Sequence, residues 1–257
     1  MNEAPQQTEL ENLWGYRKRL HFVRRAVAES CPDRQTNSLH VLDVGCGNGS
    51  QLALPLVKDG FNFTGIDTDS ASIEHARRLA AYDTNARFLC ARIEDISDTE
   101  VFDVVILSEV LEHVIEPLIL LKAGLRHLGA NGVMIVTVPN GYGEFEIDSW
   151  LFRTLRLQRV VDALASRSKE VVGSTDNQEN GHVQFFTRTQ LYGMFDECGL
   201  KIFRVGVSSL ISGPIAGHIF GRSAKFIEWN VRTADKLPPI FSSGWFFALR
   251  HSKIGQG

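Results

Sequence analysis

The chain has 257 residues, of which 44% are hydrophobic and 22% charged, with a formal net charge of −3 at pH 7 and a pI near 6.2. That length suits one α/β domain with insertions; the charge gives no overall basic footprint for nucleic acid, and no run of about 18 apolar residues is present to span a bilayer. Four scattered cysteines (Cys31, Cys46, Cys90, Cys198) without a C-x-x-C pair speak against a zinc site or disulfide framework. Together with an N-terminus lacking a basic-then-apolar signal pattern, they point to a cytoplasmic setting.

Residues 8–30 are expected to form an amphipathic helix, with Leu10, Leu13, Trp14, Leu20, Val23 and Val27 at helical spacing. Arg17, Lys18, Arg19, Arg24 and Arg25 fall mostly elsewhere and read as a solvated basic face, with a lid carried by Trp14 and Tyr16 as the alternative. Leu39–Val44 reads as a buried strand that breaks on Gly45, Gly47 and Gly49, where a backbone without Cβ atoms can approach a ligand. The spacing is G-x-G-x-G; the dinucleotide fingerprint would need glycine where Ser50 stands, which disfavours a dehydrogenase. A helix over Ser50–Lys58 is expected to be short or kinked at Pro55.

Phe61–Asp67 alternates as a second strand, and Asp67 stands at its carboxyl end, where doubly wound sheets place a ribose-binding acid; Asp69 is its rival for that role. Ser70 is expected to cap a helix over Ala71–Tyr82. Arg87–Cys90, Phe102–Leu107 and Gly132–Val138 follow as strands, with Pro117 opening a helix that ends near Leu128. Strand–helix alternation through residue 140 predicts a parallel sheet with helices on both faces and a ligand over its carboxyl ends.

From 141 to 181 the pattern changes to an insertion, with a helical stretch at Trp150–Ala165 and a polar Gly/Ser/Asn-rich loop after it, a candidate substrate lid. The alternation resumes at His182–Thr187, with a helix Arg188–Cys198 capped by Thr187 and a strand Lys201–Val207. A second insertion, 208–243, carries the apolar Leu210–Phe220 and precedes a last strand, Gly244–Arg250.

The stretches VLDVGCGNG, GID, FDVVILSEVLEHV, VPN and HVQFFTRTQL, in that order, resemble class I S-adenosylmethionine (SAM) methyltransferases across residues 39–140 and 182–250. The resemblance implies a single methyltransferase domain over 1–257: a doubly wound, mostly parallel, seven-stranded sheet with lid insertions. It implies methyl transfer by in-line displacement, in which the protein aligns the nucleophile and adjusts its protonation. Asp43 and the backbone of Gly45, Gly47 and Gly49 would hold the methionine end of the cofactor, Asp67 the ribose, Glu94 and Ile93 the adenine, and the Ser108 main chain the amino group.

The segment Ser108–Val114 contains Glu109, Glu112 and His113 at i, i+3 and i+4, which on one helical turn would share a face. This E-x-x-E-H pattern resembles the O-methyltransferases of ubiquinone biosynthesis and the small-RNA terminal 2′-O-methyltransferases. In the latter a later histidine, matched here by His182 five residues before Thr187, completes a metal site. Glu109, Glu112, His113 and His182 suit a divalent ion such as Mg²⁺. In the metal-free alternative, His113 or His182 is the general base, with Glu112 beside it, since an unperturbed imidazole titrates near about pH 6.5.

The leading expectation is O-methylation of a small or medium-sized, partly apolar acceptor, with Trp150, Phe152, Phe185 and Phe186 as candidate lining. A nucleic-acid 2′-O-methyltransferase would need a basic face, for which only the N-terminal helix and Arg153, Arg156, Arg159 and Arg167 offer material. A SAM-binding scaffold without chemistry would keep Asp67 and the glycines but have no use for the converging acids and histidines.

Overall fold

The computed structural model describes residues 16–141, 183–212 and 223–252. Seven strands form one sheet: β1 (His40–Val44), β2 (Asn62–Asp67), β3 (Ala86–Cys90), β4 (Phe102–Ser108), β5 (Leu128–Pro139), β6 (Leu200–Val207) and β7 (Gly244–His251). Their order is β3-β2-β1-β4-β5-β7-β6, with β7 antiparallel to both neighbours and the remaining pairs parallel. The doubly wound, mostly parallel sheet read from the sequence is the one observed. From β1 the chain winds outward to β3, then crosses back to β4. The crevice at that switch point opens over the carboxyl ends of β1 and β4.

Described helices are α1 (Tyr16–Ser30), α2 (Ala53–Lys58), α3 (Ser70–Leu79), α4 (Pro117–Arg126), α5 (Arg188–Glu197) and α6 (Ala224–Ala234). They divide between the two faces, and the strands alternate accordingly. Val104, Ile106, Val133, Ile135, Phe246 and Ala248 pack with α1–α3, while Val105, Leu107, Met134, Val136, Phe247 and Leu249 pack with α4 and α5. Burial on both faces explains why these strands are continuous apolar runs.

Local chemistry moves several boundaries. α2 begins at Ala53 rather than Ser50, which puts Pro55 in the first turn, where its missing N–H is not needed. The cap of α3 is Asp69, not Ser70: its carboxylate accepts from the N–H groups of Ala71 at 3.3 Å and Ser72 at 3.0 Å. That cap commits both oxygens of Asp69 to the helix end. Thr187 caps α5 as expected, in a reciprocal pair with Gln190.

In the second insertion α6 was not anticipated. Its buried face includes Asn230, whose side-chain amide donates to the Ile211 carbonyl at 2.6 Å and accepts from its N–H at 2.7 Å. Trp14, Trp150, Phe152, the four arginines at 153–167, His182 and most of the apolar stretch 210–220 lie outside the described residues. Among the described residues, no helix is long and apolar enough to cross a membrane.

Candidate active site

The glycine loop follows from three left-handed residues: φ is +74° at Gly45, +54° at Gly47 and +75° at Gly49. The N–H groups of Gly45 and Cys46 both donate to the Ile66 carbonyl, at 2.8 and 3.0 Å, which pins the turn to β2. Gly47 N–H donates to Asp67 Oδ2 at 2.8 Å, and Asp69 N–H to Asp67 Oδ1 at 2.9 Å. Asp67 thus braces the loop from the end of β2. Each of its oxygens keeps a further lone pair for a ribose hydroxyl.

The glycines have separable jobs. A Cβ on Gly45 would lie 2.9 Å from Val110 Cγ2, whereas one on Gly47 would meet nothing within 4 Å. Gly45→Ala is therefore expected to lose stability twice over, by about 1–2 kcal/mol for the left-handed backbone and about 1–3 kcal/mol for overpacking. Gly47→Ala should lose only the backbone part, yet weaken SAM binding more than tenfold if its methyl group takes up space the cofactor needs. Denaturant titration and calorimetric SAM binding of the two variants check this split; a Gly47→Ala protein with unchanged affinity would place the cofactor elsewhere.

Strand pleating gathers the polar groups. Asp43 pairs with Ile106 and Gly65, and Ser108 with Thr137, so all lie on the α1 side of the sheet at its carboxyl end. Onto them α1 places Arg19, only 4% exposed. Its Nη1 donates to Ser108 Oγ at 2.8 Å and lies 3.5 Å from Glu109 Oε1; its Nη2 donates to Gln51 Oε1 at 3.2 Å. Ser108 Oγ stands 2.9 Å from Thr137 Oγ1, which donates to Glu109 Oε1 at 2.8 Å. The solvated basic face expected for α1 is corrected: Arg19 turns inward, and Lys18 donates to the carbonyls of Ser208 and Val231 and pairs with Asp235. Arg19, Gln51 and Thr137 were missed in the sequence.

Asp43 is buried, and its Oδ1 has no hydrogen-bond partner among the described residues. Burial pushes its carboxyl up to about 7; Asp67's charge adds to the shift and Arg19 opposes it. An orphaned buried acid beside an arginine, next to an open glycine turn, fits a zwitterionic ligand with an additional positive charge. Such a ligand is SAM, whose carboxylate Arg19 can hold and whose cationic part the acids favour. Glu94, expected at the adenine, is exposed in the Ile93–Asp95 turn, while Ile93, expected against the ring, is buried in the core. Asp95, rather than Glu94, accepts from Arg92 N–H at 2.8 Å.

The acid–histidine segment is corrected as well. Glu109 has φ +54° and Leu111–His113 is a single 3₁₀ turn, so the three side chains share no helical face. Glu112 is 1% exposed, whereas His113's side chain is 33% exposed, with Nε2 3.9 Å from Glu112 Oε1. Burial first and Glu109's charge second hold Glu112 well above the usual carboxylate range, and its Oε2 has no hydrogen-bond partner among the described residues. Of the four expected metal ligands, Glu109 already has Thr137 and the Arg19 cation, and His182 lies outside the described residues. Among the described residues no three His, Cys, Asp or Glu could hold an ion together. Phe186 is core and Phe185 exposed.

A family model described as a methyltransferase domain matches residues 13–205. A ubiquinone biosynthesis O-methyltransferase of Rickettsia akari is 36% identical over 171 residues, 66% of this chain and 62% of that protein. One from Idiomarina loihiensis is 29% identical over 202 residues, 77% and 74% of the two chains. The chain spans about half the length of several further relatives of that name. Magnesium protoporphyrin IX methyltransferase from Synechocystis PCC 6803, solved with bound SAH, shares the fold with a TM-score of 0.56 at 17% identity, over 97% of this chain and 90% of that one. The chain belongs to the methyltransferase-domain family.

Proposed function

We propose that the enzyme transfers the methyl group to an oxygen of a small or medium-sized, partly apolar acceptor, with His113 as general base. The observation that carries this reading is the turn at the end of β4. There an imidazole whose side chain is 33% exposed stands 3.9 Å from the buried carboxyl of Glu112, which the charges of Glu109 and Arg19 reach. SAM, when bound, supplies an electrophilic methyl group on a good leaving group. The residues of this chain then hold its carboxylate (Arg19), its ribose (Asp67) and its adenine (Glu94), and take the proton from the acceptor hydroxyl (His113). The relatives named O-methyltransferases support oxygen as the nucleophile. Four free thiols fit the proposed cytoplasmic setting.

The test is turnover with SAM on catechol, an alkylated phenol, an aliphatic amine and an RNA oligonucleotide, read by mass spectrometry of the methylated product. We expect the hydroxyl acceptors alone to gain a methyl group, and His113→Ala to lower kcat by about 10²–10⁴-fold with SAM affinity unchanged. Preference for the amine or the RNA would overturn the acceptor class. Activity should survive chelation of divalent ions, because Arg19 already supplies Glu109 with a cation. Loss on chelation with recovery on adding Mg²⁺ would instead make Glu112, His113 and His182 metal ligands.

A further inference from the structure

The turn that carries Glu112 and His113 runs out at Val114 into extended backbone, with φ −110° and ψ 147°. Its carbonyls need donors from elsewhere, since backbone acceptors left bare at a turn end are costly when water is excluded. The chain re-entering at Val183 supplies them. Val183 and Gln184 donate their N–H groups to the Glu112 carbonyl at 2.9 and 3.1 Å. Gln184 Nε2 then donates to the Val114 carbonyl at 3.1 Å and to that of Ile115. These contacts hold the backbone on both sides of His113. The seat is tight: a Cβ on Gly141 would lie 2.7 Å from Phe185 Cβ, so the strand end that leaves β5 packs directly against the clamping segment.

We infer that Gln184 is a positioning residue for methyl transfer: its side-chain amide clamps the Val114 and Ile115 carbonyls and thereby fixes the peptide planes that aim His113. The inference rests on His113 acting as the base. Both amide hydrogens of Gln184 are spent on carbonyl oxygens, so the requirement is for a fork of two donors. Glutamate, of nearly the same shape, offers acceptors to acceptors. Arginine offers N–H donors from a planar head.

The experiment measures kcat with catechol, SAM affinity and thermal midpoint for Gln184→Ala, Gln184→Glu and Gln184→Arg. A roughly tenfold fall in kcat for the alanine and glutamate variants, with SAM Kd within about twofold of wild type and recovery in the arginine variant, is the expected result. Wild-type kcat in both defective variants, or parallel loss of SAM binding and thermal midpoint, overturns it.

If the wild-type enzyme methylates neither catechol nor the alkylated phenol, the acceptor reading fails separately. Gln184 is then judged by the ring resonances of His113 and hydrogen exchange of the Val183 amide. Both should change in the alanine and glutamate variants and return in the arginine variant; unchanged signals overturn the inference.

Discussion

Arg19→Leu should weaken SAM binding by about 100-fold, equivalent to about 2.7 kcal/mol, and destabilise the free enzyme at pH 8 by about 1–3 kcal/mol through the lost hydrogen bonds to Ser108 and Gln51. Leucine keeps the apolar stem packed but removes the cation that faces Glu109 directly and lowers the carboxyl groups of Asp43 and Glu112. Without it those buried acids hold their protons to higher pH. The sign then follows from linkage: an acid whose folded pKa lies above its unfolded value takes up protons on folding, so stability is lost as pH rises. The variant's deficit should therefore be smaller at pH 6 than at pH 8. Arg19→Lys keeps the charge but not the two-pronged contact with Ser108 and Gln51, and should fall between leucine and wild type. Denaturant titrations at the two pH values and calorimetric SAM binding read all of this. Leucine binding SAM as tightly as arginine would remove Arg19 from the cofactor site.

The sheet was legible in the sequence because strands buried on both faces are apolar throughout and break on glycine or an acid, as β1 and β2 do at Gly45 and Asp67. The glycine loop was legible because three left-handed residues in five leave little choice but glycine. The acid–histidine turn misled because i, i+3, i+4 spacing does not distinguish a helix from one left-handed residue followed by a 3₁₀ turn. Arg19 was missed although a signal existed: Arg19, Phe22, Val23, Ala26 and Val27 recur at helical spacing, and all five are buried. A charged residue inside an apolar stripe was assigned by its charge instead of its position. The helix α6 hid for a related reason, since one of its core positions is an asparagine whose partner, Ile211, is distant in sequence.

Asp43→Asn should make the free enzyme more stable at pH 8 while weakening its hold on SAM. Asp43 is 3% exposed, its Oδ1 lacks a hydrogen-bond partner among the described residues, and burial raises its carboxyl from 3.8 to about 7. Between those two values the folded protein binds a proton that the unfolded chain has released. Its stability therefore declines as pH rises through that window, by about 4 kcal/mol in all. Asparagine stays neutral, so the decline should flatten and the variant should exceed wild type by about 2–4 kcal/mol at pH 8, as measured by urea titration. Bound SAM brings positive charge toward this carboxyl and favours its ionised form. Wild-type binding should then release a proton near neutral pH, seen as a calorimetric enthalpy that depends on the buffer, and affinity should rise from pH 6 to pH 8. In Asp43→Asn, proton release should vanish and affinity drop at least tenfold. If the variant keeps both the affinity and the proton release, Asp43 is not the group that answers the cofactor's charge, and Glu112, the other buried acid facing Arg19, becomes the one to replace next.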